Sequence, residues 1–137
     1  MADATPVPSN PALRRPLSPH LQIYSPMLTM MMSIAHRITG IGLYAGTLLL
    51  AWWLIALSMN ADAFAVANGF MASIFGRVIL LGFTWALFHH LMGGLRHFVW
   101  DAGYGMEHPA REYLAQATLV GGIALTIIVW AIAYWVR

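Results

Sequence analysis

The chain contains no cysteine in its 137 residues. Cysteine thiolates hold iron–sulfur clusters, thiolate-ligated haem and covalently attached c-type haem, so this chain does none of these. Any redox centre it holds must be non-covalent and ligated by histidine, and any iron–sulfur relay must belong to another chain. Charge is the second scarcity. Charged residues make up only 9% of the sequence against 60% hydrophobic, with a mean hydropathy of +0.69. Soluble domains carry about a quarter charged residues, so this composition lacks the surface polarity to stay dissolved. The roughly ten-residue alternating strands of a membrane barrel are also missing.

The few charges are segregated. None falls between Ile38 and Ala61, between Val78 and Leu95, or between Tyr113 and Val136. Each window is about 18 to 24 residues long, and a helix needs about 20 to cross a hydrocarbon core. The fold class is therefore all-α integral membrane, with three transmembrane helices in an up-down-up bundle. Their expected spans are about 26–58, 72–98 and 113–136. With so little polar sequence left there is no room for a separate soluble domain. The expected organisation is an extended arm over 1–24 and one membrane domain over 25–137.

Positive charge sets the expected orientation. Arg14, Arg15 and Arg37 precede the first apolar window, and Arg96 and Arg111 lie between the second and third. The stretch from Ser58 to Gly76 holds only Asp62, with Arg77 just after it. The N-terminus is expected in the cytoplasm and the C-terminus in the periplasm. Trp52, Trp53, Tyr134 and Trp135 suit the outer interface, Trp100 and Tyr113 the inner one. The opening "MADATPVPSNPALRRPLSPHLQIY" has five prolines in its first 19 residues, a composition for an extended or partner-bound arm. It has neither the n-region and cleavage pattern of a signal peptide nor an Arg-rich amphipathic presequence. A multi-pass protein of a bacterial inner membrane is the expectation.

Ser25-Pro26 reads as a helix start, and no proline interrupts the following residues to Leu57. Such a helix is about 48 Å long at 1.5 Å per residue, longer than the bilayer core. The surplus lies at the cytoplasmic end, where Met27 to Ala35 remains apolar, and a docked partner is expected to cover it. Within "SIAHRITG", Ser33 and Arg37 are four apart and share a face, with His36 beside them. Arg37 can snorkel to headgroups. Alternatively, the cluster is a polar pocket able to hydrogen-bond a carbonyl or carboxylate.

"FHHLMGGLRH" (Phe88 to His97) places three histidines and an arginine in an apolar helix. An antiparallel second helix is expected to bring Arg96 and His97 level with His36 and Arg37. His90 lies seven residues before His97, on the same face and about 10 Å deeper. Gly93 and Gly94 between them leave that face without side chains, a surface for a flat ligand such as a haem with a histidine on its iron. His36, Arg37, Arg96 and His97 then suit its propionates. A close helix–helix contact with a hydrogen-bonding histidine accounts for the same pattern without haem. Periodicity does not separate His89 from His90, since His89 has Gly93 at i+4 and Arg96 at i+7. His36 reads as too shallow to oppose His90, so the second axial ligand is expected from another membrane chain.

"RPLSPHLQIY" (Arg15 to Tyr24), "SIAHRITG" (Ser33 to Gly40) and "HLMGGLRHFVWDAGYG" (His90 to Gly105) occur in order. Together they resemble the cytochrome b membrane-anchor subunit of succinate dehydrogenase, the large anchor of respiratory complex II, in its mitochondrial and related bacterial branch. The resemblance runs from about Arg15 to the C-terminus. It implies that His90 is the axial ligand of haem b, and that Ser33 and Arg37 line the ubiquinone site. It further implies that His36, Arg37 and His97 lie near the haem propionates. Asp101 matches an acidic residue expected to cap the helix or pair with Arg96 or Arg37.

The implied partners are a flavoprotein, an iron–sulfur subunit and a second small anchor that shares the haem. The implied role is non-catalytic anchoring and electron transfer into ubiquinone, because the chain has no dinucleotide-binding fingerprint of its own. An anchor of a quinol:fumarate reductase and a haem-free structural anchor are the alternatives. The deep histidines are too few for a di-haem anchor.

Overall fold

The computed structural model describes residues 23–136, so the expected arm over 1–24 lies almost wholly outside the described residues. Four helices follow in order: α1 (Leu28–Met59), α2 (Ala61–Ala72), α3 (Ile74–Asp101) and α4 (Ala110–Trp135), with no strand among the described residues. Three of them, α1, α3 and α4, are long and apolar enough to cross a membrane. The all-helical membrane class is thus observed.

α1 runs for 32 residues, about 48 Å at the standard rise. It starts two residues beyond Pro26, because Met27 is extended and its carbonyl accepts the N–H groups of Met30 and Met31 at 3.1 and 3.0 Å. Antiparallel pairing with α3 follows from three contacts. Gly40 meets His90, Gly93 meets His36, and Gly46 meets the ring of Phe83. α4 pairs antiparallel with α3 in turn, with Met92 on Gly121, His89 on Gly122, and Arg77 and Leu80 beside Trp130 and Tyr134. The interior is built from small residues, including Ala86, Gly93, Ala115, Thr118 and Gly122. Small side chains let membrane helices approach closely, where dispersion and polar contacts hold them without a hydrophobic drive. Thr118 and Thr126 return their hydroxyls to the carbonyls of Leu114 and Gly122 at 2.9 and 2.7 Å, so neither leaves an unpaired polar group in the seam.

The helix α2 is an addition to the expected plan. The sequence reading treats this interhelical stretch as a connection, yet Asn60 caps a helix there by accepting Ala63 N–H at 2.8 Å. Asp62 in its first turn suits the positive end of the helix dipole. Ser73 then closes α2 and opens α3, its hydroxyl accepting Gly76 N–H at 3.0 Å. The α2–α3 corner is tight, because a Cβ on Gly76 would run into the backbone of Phe70 and Met71. Phe64 and Phe70 of α2 meet Trp53 and Trp52 edge-on at 5.7 Å, seating α2 against the end of α1.

At the other end of α3 the chain reverses through Gly103 and Gly105, both at positive φ of 84° and 74°, where glycine carries no Cβ penalty. Gly103 N–H returns to Trp100 O at 2.8 Å and Tyr104 N–H to Val99 O at 3.1 Å. The Trp100 indole N–H donates to Gly105 O at 3.2 Å. That end of the bundle carries Ser33, His36, Arg37, His90, Arg96 and His97.

Candidate functional site

α1 and α3 meet through two imidazoles. The rings of His36 and His90 stack at 3.9 Å between centroids with planes 9° apart. The His90 Nδ1 faces the backbone carbonyl of His36 at 3.1 Å and the hydroxyl of Thr39 at 3.5 Å. A carbonyl can only accept, so His90 Nδ1 is the donor, and in the neutral ring the remaining lone pair is on Nε2. That arrangement is how a histidine is fixed as a metal ligand, with the second ring nitrogen held by an acceptor. Thr39 is buried and already returns its hydroxyl to the carbonyls of Ala35 and His36, both at 2.9 Å. Its position braces the carbonyl that His90 uses. Gly40 makes room for the ring, since a Cβ there would stand 3.1 Å from His90 Cε1.

The seam corrects three expectations about depth and shape. The register places Gly93, not Arg96 and His97, opposite His36, so Ser33 is the α1 residue level with Arg96 and His97. The offset is about one turn. His36 is therefore not shallow relative to His90 but packed on it. It still cannot oppose His90 across an iron, because stacked rings at 3.9 Å leave no space between them for a macrocycle. The glycine pair also divides. Gly93 is buried beneath the His36 ring, whose Nδ1 and Cε1 a Cβ would strike, whereas Gly94 has nothing within 4 Å of its Cβ position. The open surface beside His90 is the Gly94 side, continued at i+7 by the exposed His97.

His89 and His90 point to different seams. His89 is 1% exposed, lies against Gly122 of α4 and meets Trp85 edge-on at 5.2 Å. Among the described residues neither of its ring nitrogens has a hydrogen-bond partner. Arg96 lies on the same inner face. It is 3% exposed, with Nε and Nη1 unpartnered and its guanidinium 4.9 Å over the Trp100 ring. His97 stands outside this packing, 5.6 Å from His36 and 5.2 Å from Trp100. Ser33 and Arg37 are exposed on the outer face of α1, and no side-chain hydrogen bond or ion pair occupies either among the described residues. Asp101 is exposed and does not make the pairing expected with Arg96 or Arg37. The one ion pair among the described residues joins Arg111 and Glu112 at 3.6 Å, and Arg96 has an aromatic ring in place of a carboxylate.

Sequence reasoning missed Thr39 and Gly40, and it read Trp100 as an interfacial residue without its contacts to Arg96 and His97. The first two were visible as the i+3 and i+4 neighbours of His36, but their use depends on the α1–α3 register.

The family profile of the succinate dehydrogenase/fumarate reductase transmembrane subunit matches residues 11–129. The chain belongs to this family. Among curated relatives, the succinate dehydrogenase cytochrome b556 subunit of Paracoccus denitrificans is 46% identical over 114 residues, 83% of this chain and 88% of that one. The cytochrome b556 subunit of Rickettsia felis is 36% identical over 117 residues, 85% and 91% of the two chains. The cytochrome b560 subunit of Reclinomonas americana is 37% identical over 134 residues, 90% and 89%. The chain is thus a multi-pass membrane subunit of the succinate dehydrogenase/fumarate reductase family, similar to its cytochrome b anchors.

Proposed function

We propose that this chain anchors a succinate:ubiquinone oxidoreductase in a bacterial inner membrane, holds haem b through His90 and forms part of the ubiquinone-reduction site with Ser33 and Arg37. The observation that carries the haem assignment is the His90 Nδ1 contact to the His36 carbonyl at 3.1 Å, which presents Nε2 as the ligand atom. His36, His97 and Arg37 are the residues for the propionates. Bound haem supplies a one-electron redox centre inside the membrane. A further ligand to the haem would have to come from the small anchor subunit, since His36 is stacked on His90 and His89 faces the opposite seam.

Ser33 and Arg37 lie one turn apart on the exposed face of α1. They suit a quinone carbonyl, whose oxygen gains negative charge as electrons arrive and is stabilised by preorganised donors. The Ser33 hydroxyl donates one hydrogen bond and the Arg37 guanidinium a charged one. Reduction to the quinol takes two electrons, delivered from the iron–sulfur subunit, and two protons from the adjacent aqueous side. That side is the cytoplasm if the arginines follow the positive-inside bias. The overhanging start of α1, with Met31 and Ile34 each 45% exposed, is the surface for the iron–sulfur subunit. Succinate oxidation belongs to the flavoprotein, so this chain is not an enzyme on its own.

Purification of the intact membrane complex through this chain tests the reading. It should bring down a flavoprotein, a cysteine-rich iron–sulfur protein and a second small anchor, with a b-type α-band after reduction. A full set of partners without that band would leave a haem-free anchor instead.

A further inference from the structure

The end of the bundle away from His36 and Arg37 holds a cation that neither the haem nor the quinone reading uses. Arg77 is exposed at the end of the first turn of α3, and no carboxylate pairs with it among the described residues. It lines a cleft of about 460 Å3 bounded by α2, α3 and the last turns of α4. Arg77, Leu80 and Thr84 succeed one another along one face of α3, descending about 10 Å into the membrane. Tyr134, Trp130 and Val129 descend in the same direction on antiparallel α4. Polarity falls along this path. Arg77 and Tyr134 stand at the mouth, Trp130 lies behind them 6.0 Å from Tyr134, and Leu80 and Val129 form the floor. Thr84 adds no polarity, because its hydroxyl is bound to the Leu80 carbonyl at 2.7 Å.

We propose that this cleft binds one anionic phospholipid, with its phosphate on Arg77 and an acyl chain along Leu80 and Val129. The gradient from cation through amphipathic aromatics to hydrocarbon matches the order of groups along such a lipid, at the depth where Trp and Tyr belong in an interface. An arginine with no carboxylate partner among the described residues prefers a lipid of net negative charge over a zwitterionic one, whose own cation competes.

The test uses the intact complex in nanodiscs of phosphatidylcholine containing a minor fraction of phosphatidylglycerol, followed by native mass spectrometry of the retained lipid. The wild type should retain phosphatidylglycerol far above its bilayer fraction, one per copy of this chain. Arg77→Gln should lower that preference about fivefold, and Arg77→Lys should keep most of it. Val129→Trp fills the floor and should expel the lipid with Arg77 intact, which also covers a failure of Arg77→Gln to assemble. Retention in the bilayer's own ratio, an undiminished preference in Arg77→Gln or Val129→Trp, or a quinone or polypeptide segment found in the cleft would overturn the proposal.

Discussion

His36 and His90 are joined twice: their rings stack at 3.9 Å, and the carbonyl of His36 receives the Nδ1 of His90 at 3.1 Å. The two contacts separate under mutation, because only the ring is lost in His36→Ala. The backbone acceptor should keep His90 oriented, so His36→Ala should retain haem while shifting its midpoint potential, as expected when charge and solvation beside a ligand change. A redox titration of the α-band reads this. Loss of all haem would mean that the stack, not the carbonyl, positions His90.

Gly93 is the position where one methyl group should disturb the same seam. A Cβ there meets the His36 ring, and His36 is held between Gly93 and His90. Gly93→Ala should therefore cost about 1–3 kcal/mol as overpacking and lower the haem content. Gly94→Ala, with open space at its Cβ position, should leave the thermal stability of the apo-chains unchanged. Haem content of the two variant complexes, and their thermal melting after haem depletion, check the difference.

His89 gives the opposite expectation. An imidazole buried at 1% exposure with both nitrogens unpartnered among the described residues carries a desolvation cost of about 1–3 kcal/mol. His89→Leu, set against Trp85 and Gly122, should equal or exceed the wild type in thermal stability and keep its haem spectrum. Haem loss in this variant would show that the α3–α4 seam takes part in the site.

Ser33→Ala and Arg37→Ala should each reduce succinate-to-ubiquinone activity by about 100-fold, the scale of losing a preorganised donor to a developing anion. Succinate oxidation with an artificial acceptor should remain at the wild-type rate. Equal loss of both activities would report damaged assembly in place of a lost quinone contact.

The three spans were legible because charge is excluded from hydrocarbon so strongly that its gaps outline the helices. The clustering of Ser33, His36, Arg37, His90, Arg96 and His97 at one end followed from helix rise and antiparallel order. Two features were not legible. The short α2 is announced by Asn60 and Asp62 alone, and its flanking residues are apolar in any conformation. The register of α1 against α3 depends on which glycine accepts which ring. Gly93 under His36 and Gly40 beside His90 are decided by three-dimensional fit, and periodicity on one helix carries no information about the other. For the same reason periodicity alone does not separate His89, which faces α4, from His90, which faces α1.

The most direct test of the account compares reduced-minus-oxidised absorbance spectra of two purified variant complexes, His90→Ala and His89→Ala. His90 presents its Nε2 from the α1–α3 seam, and His89 is sealed against α4. The b-type α-band should disappear or collapse in His90→Ala and persist unchanged in His89→Ala. A band that survives in His90→Ala, or that is lost only in His89→Ala, would contradict the assignment of the haem ligand.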